Sequence, residues 1–186
     1  MTESDIDAVV PARQEPAWLK FVSWTSSTLN RIAASVAAIL LVLMVGLILV
    51  EIVLRFFSRS TFMTDVLVGY GVAAITFLAL GWTLEQGSMI RISAITQRMP
   101  KHARFVAEAF SVVVAGSLIV WLMYFEWRAI AKLWARGTTS EHYLPIPLWI
   151  PETIFFIGLA LLALQLLVRL LRLITQGQDK EALLKL

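Results

Sequence analysis

The sequence predicts an all-α integral membrane protein with four transmembrane helices, and three observations lead to this class. First, four runs lack any Asp, Glu, Lys, Arg or His: Ile32–Val50, Val66–Leu84, Ala109–Phe125 and Thr153–Val168. Second, the runs hold 19, 19, 17 and 16 residues, and about 20 helical residues cross the roughly 30 Å bilayer core. Third, only 16 % of the residues are charged, against roughly a quarter in a soluble domain. The last two runs need flanking residues to complete their crossing.

The predicted spans divide the chain into two tails and one membrane domain. Residues 1–30 form an N-terminal tail with an interfacial lead-in, residues 31–175 form the membrane domain, and residues 176–186 form a C-terminal tail. We expect the spans at about 32–54, 66–84, 105–126 and 150–170. The first run is interpreted as a retained helix, because a signal peptide has a shorter apolar core behind a short basic start.

Basic residues outside the runs predict the orientation. The four spans place both tails and the loop between spans two and three on one side of the membrane. That side holds eleven Lys and Arg residues, and the other side holds five. Cytoplasmic loops carry the excess of Lys and Arg, so both termini are predicted to be cytoplasmic.

The first helix ends with Glu51 and Arg55, which lie four residues apart on one helical face. Opposite charges at this spacing attract each other. A carboxylate at the bilayer centre would demand a functional explanation, but the 19 apolar residues before Glu51 place it at the membrane edge. A local ion pair is the favoured interpretation, and a partner contact or a proton site is the alternative.

The short loop after this helix predicts an antiparallel hairpin into the second helix. Asp65 stands at the start of that helix, where a carboxylate complements the helix dipole. Gly69 and Ala73 follow four residues apart, and small residues at this spacing let two helix backbones approach closely. This seam faces either another helix of the chain or another subunit. The candidate packing or subunit-interface residues are Glu51, Asp65, Gly69, Ala73 and Gln165.

Residues 88–101 predict an amphipathic helix between spans two and three. Apolar residues recur at steps of three and four from Met89 to Met99, and basic residues fill much of the rest. A segment this short and charged lies in the interface plane, on the cytoplasmic side, rather than across the bilayer. The alternative is an ordinary amphipathic helix packed on protein. The candidate contacts to lipid headgroups are Arg91, Arg98 and Lys101.

The third helix is predicted to outlast the membrane and to run from about Ala103 to Arg136, with Gly137 as its terminator. Prolines place the start of the fourth helix near Pro147–Pro151, since proline is tolerated in the first helical turn. Gln165 is the one strongly polar side chain within the four runs. It should face another helix, because an unpaired amide in lipid is costly.

Composition disfavours several kinds of chemistry. The chain has no cysteine and therefore no disulfide and no thiolate. Its two histidines lie in loops, which disfavours a haem inside the helix bundle. No Walker-type phosphate loop is present, and the basic residues are dispersed among all the loops. We therefore expect no catalytic residue, no metal or cofactor site and no nucleic-acid partner. The apolar runs suit a scaffold better than a carrier, which usually breaks its helices at mid-membrane.

Five segments follow one another along residues 30–175 and carry a resemblance to a known family. They are Glu51-Ile-Val-Leu-Arg55-Phe-Phe, Asp65 with Gly69-Tyr70, Phe77-Leu-Ala-Leu-Gly81-Trp-Thr-Leu, Glu85-Gln-Gly87-Ser-Met-Ile-Arg91-Ile, and Ile146-Pro147-Leu-Trp149-Ile-Pro151. In order, spacing and hydropathy the chain resembles the small membrane subunit of the tripartite ATP-independent periplasmic (TRAP) transporters. Two positions depart from the pattern: Met89 stands where family members often carry His, and Asp65 where many carry Glu in a Trp-containing segment. Any role of that His does not transfer.

The resemblance implies a multi-pass protein of the bacterial inner membrane that works with two partners. In this family a large membrane subunit carries the substrate, typically an organic acid, together with sodium, and a soluble periplasmic protein delivers it. The small subunit braces the large one and helps to dock the delivery protein. Sodium coupling would then belong to the large subunit, and lipid would surround the chain. The candidate docking residues on the outer face are Arg55, Arg59, Arg128 and Arg136.

Other functions stay open on the sequence alone. One is a small self-sufficient homodimeric carrier with Glu51 as its proton site. Another is the membrane anchor of a redox complex, and a third is a lone structural protein of the membrane. The residues do not identify a transported substrate.

Overall fold

The computed structural model describes residues 16–61, 63–86, 100–140 and 145–176. Within these ranges the chain forms four α-helices: α1 (Ala17–Phe56), α2 (Thr64–Glu85), α3 (Lys101–Arg136) and α4 (Trp149–Gln176). The same ranges contain no β-strand, only an isolated antiparallel bridge between Thr139 and Pro147. Each of the four helices is long and apolar enough to cross a membrane. The predicted all-α class, with four helices able to span a membrane, is confirmed.

The helices extend past the apolar runs that predicted them. Helix α1 has 40 residues and is therefore about 60 Å long. It begins at Ala17, so the predicted lead-in is continuous with the first span. Helix α3 has 36 residues and ends at Arg136. Gly137 follows in the left-handed conformation, with φ of 59°, as predicted for a glycine that terminates a helix.

The predicted interfacial helix falls mostly on residues 87–99, which lie outside the described part of the chain. Pro100 is in an extended conformation and caps α3, so Lys101 is the first residue of α3. The cytoplasmic placement of the termini remains a prediction. We therefore name the two ends of the bundle neutrally. The "loop end" holds the α1–α2 and α3–α4 connections, and the "terminal end" holds the start of α1 and the end of α4.

Helix α4 is the central element of the described bundle, because it packs against α1, α2 and α3. Helix α3 packs mainly along α4. Their contact is part of a core that also includes Leu84 of α2, and its buried members are Leu84, Val112, Ile119, Leu159, Leu162 and Leu166. A smaller core joins α1 to α2 through Ala33, Ala37 and Leu78.

Two glycines lie at close contacts between these helices. A Cβ added at Gly158 of α4 would lie 2.7 Å from the backbone carbonyl of Phe77, so only glycine permits this α2–α4 approach. A Cβ at Gly81 of α2 would overlap the carboxamide oxygen of Asn30 on α1. The helix pairing is therefore specified at discrete contact points rather than by general hydrophobicity.

Candidate functional site

A cluster of polar side chains surrounds Glu51 at the loop end. Glu51 is only 4 % exposed. Its Oε1 accepts hydrogen bonds from Arg55 Nε at 3.0 Å and from Ser60 Oγ at 2.6 Å. Its Oε2 accepts three more, from the backbone N–H of Thr61 at 3.2 Å, from Thr61 Oγ1 at 2.6 Å and from Thr64 Oγ1 at 3.2 Å. We call Glu51, Arg55, Ser60, Thr61 and Thr64 the loop-end cluster.

The loop-end cluster closes the α1–α2 hairpin. Helix α2 has no side-chain cap of its own at Met63, and Glu51 reaches across from α1 to the residues that open α2. The turn before them is tight, since Ser58 adopts a φ of 55°, which is uncommon outside glycine. A carboxylate oxygen offers about two acceptor sites, so five donors leave Glu51 with little capacity for a further ligand. This geometry agrees with the local ion pair that the sequence favoured.

An open cleft of about 570 Å³ lies beside this cluster and is lined by Arg55, Ser58, Arg59, Ser60 and Asp65. The Arg55 side chain is 59 % exposed although its Nε is bonded to Glu51. Glu51 therefore holds one edge of the guanidinium and leaves the rest accessible. We call this feature the loop-end cleft. Its lining holds two arginines and one aspartate, and Glu51 offsets the charge of Arg55. The cleft therefore offers a partner exposed guanidinium groups rather than a net positive charge.

The four arginines predicted for docking fall into two separate groups. Arg55 and Arg59 line the loop-end cleft. Arg128 and Arg136 lie on α3 and do not line it. The Arg128 guanidinium lies 5.7 Å from the Tyr124 ring centre and donates to the Tyr124 hydroxyl at 3.4 Å, so its own helix holds it. Arg136 is exposed in the last turn of α3.

A second polar cluster lies at the terminal end and joins α1 to α4. Ser26 Oγ donates to Gln165 Oε1 at 2.6 Å, and Asn30 Nδ2 donates to the same oxygen at 3.2 Å. Ser26 and Asn30 are fully buried, and Gln165 is 7 % exposed. We call these three residues the terminal-end cluster. Gln165 thus faces another helix of the same chain.

A family model matches residues 44–176, which is more than half of the chain. Its description is "Tripartite ATP-independent periplasmic transporters, DctQ component". The chain belongs to this family. Membership confirms the resemblance drawn from the sequence, and it makes the chain the small permease component of a TRAP transporter, which supports a non-enzymatic role. No curated protein and no solved structure gives a significant match to the chain.

The match places the two polar clusters differently within this DctQ-family chain. The loop-end cluster lies wholly inside the matched residues. The terminal-end cluster joins Gln165 inside the match to Ser26 and Asn30 outside it. The first 27 residues of α1 therefore lie outside the residues that the family model matches.

The predicted small-residue seam is not used within the described part of this DctQ-family chain. Gly69 and Ala73 are exposed, and a Cβ added at Gly69 would meet nothing within 4 Å. Asp65, in the first turn of α2, is exposed as well. Close contacts lie instead at Gly81, at Gly158 and at Gly71, where an added Cβ would overlap the Met44 side chain of α1. The seam remains a candidate contact with another subunit.

The predicted headgroup contacts are largely outside the described residues. Arg91 and Arg98 fall in the range 87–99, and of Lys101 only the backbone position in α3 is described. Sequence reasoning missed an ion pair at the terminal end of the bundle. In this pair Arg169 Nη2 of α4 lies 2.7 Å from Glu108 Oε1 of α3. Sequence reasoning also missed Ser26 and Asn30. Their signal was a pair of polar residues four apart, which places them on one helical face.

Proposed function

We propose that this chain is the stationary brace of its TRAP transporter, which holds the large membrane subunit and takes no part in carrying the substrate. The observation that supports this role most is the state of its buried polar groups. Among the described residues Glu51 is the only carboxylate residue that is buried as a whole, and five donors already engage it. One oxygen each of Glu85 and Glu126 is also buried and accepts no hydrogen bond within the described structure, so the support for this role comes from Glu51. The terminal-end cluster likewise joins helix to helix.

The same observation disfavours the self-sufficient proton carrier. A proton site in a carrier has to exchange its proton with water on both sides of the membrane. Glu51 lies at one end of α1, beside the hairpin, and Arg55 compensates its charge at 3.0 Å. Buried groups with this pattern of bonds stabilise a fixed structure.

We further propose that the loop end faces the periplasm and contributes to docking the substrate-binding protein. The support is the orientation predicted from the basic residues and the two exposed arginines, Arg55 and Arg59, that line the loop-end cleft. An acidic surface on the delivery protein would match Arg59 and the exposed part of Arg55. Such complementarity raises the rate of encounter and is sensitive to salt. The substrate, of the organic-acid class, and the coupling ion, sodium, belong to the partners.

Deletion of this chain from its host tests the bracing role. We expect uptake of the transported solute to be lost, while the soluble binding protein still binds that solute with unchanged affinity. Complementation with the intact chain should restore uptake. Wild-type uptake in the deletion strain would overturn the proposal.

Charge reversal in the loop-end cleft tests docking separately. Arg59→Glu should raise the concentration of binding protein needed for half-maximal uptake about tenfold, because a like charge now faces the acidic partner. Arg59 makes no hydrogen bond to Glu51, so the hairpin stays folded. Lys20→Glu, an exposed charge reversal on α1 at the terminal end, is the matched control. An equal effect of both substitutions would assign the loss to overall charge and refute docking at the cleft.

A further inference from the structure

The terminal-end cluster has a feature that its hydrogen bonds alone do not explain. The Asn30 side chain is completely buried and its Oδ1 accepts no hydrogen bond within the described structure. That oxygen fills the space where a side chain on Gly81 would stand. A single carboxamide therefore contacts three helices: its own α1, α2 at Gly81 and α4 at Gln165.

We propose that the terminal-end cluster, seated on Gly81, is a polar clamp that fixes the register of α1 against α2 and α4. Because lipid is as apolar as leucine, the hydrophobic effect does not favour one axial position of a membrane helix over another. Polar groups buried among such faces are costly unless they meet their partners. A shift of one helical turn, about 5.4 Å, would separate Ser26 and Asn30 from Gln165 and would push the Asn30 carboxamide off Gly81.

The clamp is placed where register is otherwise weakly specified. The opposite end of α1 is joined to α2 by a short loop and the loop-end cluster, so its position is fixed by the chain itself. At the terminal end, Ser26 and Asn30 lie 139 and 135 residues from Gln165. Leu19 is fully buried and Val168 and Leu173 nearly so, but aliphatic contacts can be exchanged for one another along a helix. The clamp would act whether or not the bracing proposal holds.

Distance measurements between spin labels test the clamp directly. The chain has no cysteine, so Lys20→Cys on α1 and Ile157→Cys on α4, both exposed positions, give two unique labels. Sliding of α1 along α4 changes the distance between them. We expect a single narrow distance distribution for the labelled chain in lipid nanodiscs, and a broadened or two-component distribution after Ser26→Ala, Asn30→Leu and Gln165→Met, which remove the polar groups with little loss of volume. Superimposable distributions would overturn the clamp.

A compensation test covers the case in which the triple variant fails to fold. Gly81→Ala should lower the melting temperature, because the new methyl group displaces the Asn30 carboxamide. Asn30→Ala should lower it in the wild-type background but raise it in the Gly81→Ala background, since it removes the atoms that the methyl group meets. A fall in both backgrounds would refute the seating of Asn30 on Gly81.

Two controls separate the clamp from general effects of the same substitutions. Gly69→Ala adds a methyl group that meets nothing within 4 Å. Ser35→Ala removes a hydroxyl that bonds only within its own helix, to the Arg31 carbonyl at 2.9 Å. Both should leave the melting temperature and the label distance unchanged. A shift in either that matches the clamp variants would count against the proposal.

Discussion

The loop-end cluster and the terminal-end cluster hold the same helix by different means. Asn30 and Glu51 are 21 residues apart on α1, or about 32 Å, which is close to the thickness of the bilayer core. At the loop end a buried carboxylate gathers donors from within 13 residues of chain. At the terminal end two neutral side chains, Ser26 and Asn30, share the amide oxygen of Gln165, which lies 139 and 135 residues further along the chain.

The difference teaches how the two ends of a membrane helix can be fixed. A charged group is tolerated where a loop supplies several donors at once and its ion-pair partner reaches water, as Arg55 does. No loop supplies donors where two helices distant in sequence meet. The terminal-end cluster instead consists of neutral side chains, whose burial is less costly than that of a charge. The loop-end cluster therefore shapes a hairpin, and the terminal-end cluster sets the position of one helix against another.

Removal of the Glu51 carboxylate should have the largest effect among the single substitutions discussed here. Glu51→Ala removes five hydrogen bonds at once, each of which contributes about 1 kcal/mol. It also leaves the buried Thr64 hydroxyl without this acceptor. We expect the lowest melting temperature in the series, followed by circular dichroism in detergent. Asp65→Asn, at an exposed carboxylate of the same end, should melt like the wild type. A Glu51→Ala protein as stable as the Asp65→Asn control would show that the loop-end cluster does not stabilise the protein.

Gly158→Ala tests an apolar contact that belongs to neither cluster. The added methyl group would lie 2.7 Å from the backbone of Phe77, and overpacking of this kind costs about 1–3 kcal/mol. We expect a clear loss of stability in the same thermal assay. Gly116→Ala on α3, where an added Cβ meets nothing within 4 Å, is the matched control. Equal stability of both variants would show that the α2–α4 contact adjusts at no cost.

The coupling free energy between Asn30 and Gln165 measures how much their hydrogen bond contributes to the stability of the terminal-end cluster. Hydrogen bonds between membrane helices contribute about 1 kcal/mol, so a double-mutant cycle of Asn30→Leu and Gln165→Leu should show a coupling free energy of that size. Reversible unfolding in mixed micelles supplies the four free energies. A coupling indistinguishable from zero would mean that Asn30 and Gln165 act independently.

The smallest effect on stability is expected for Arg55→Gln. The Arg55 side chain is 59 % exposed, and Glu51 keeps its four other hydrogen bonds when Arg55 is replaced. The melting temperature should stay near that of the wild type, while docking of the binding protein weakens if Arg55 contributes to the loop-end cleft. A loss as large as that of Glu51→Ala would show that the ion pair, rather than the hydroxyl and backbone donors, stabilises the hairpin.

These clusters also show what the sequence could predict. The pair Glu51 and Arg55 was predictable because both partners lie on one helical turn, and the helix spans followed from runs without charge. The end of α3 at Gly137 followed from the same local rules. Each of these features depends on neighbours in the chain.

The features that sequence reasoning missed depend on contacts between distant segments. Gln165 was expected to face a helix, but Ser26 and Asn30 could not be assigned as its partners without the packing of α1 on α4. Gly69 and Ala73 carried the spacing of a packing seam, yet Gly158 and Gly81, which carry no such spacing, make close contacts. A small residue permits a close contact, but the neighbouring helices decide where the contact forms.

Reconstitution tests the central proposal, a brace that carries nothing itself, most directly. Uptake of labelled substrate would be measured in proteoliposomes that contain this chain alone, the large membrane subunit alone, or both, each with the soluble binding protein and a sodium gradient. We predict sodium-driven uptake only where both membrane subunits are present. Solute flux through the chain alone, or full uptake by the large subunit without it, would contradict the account.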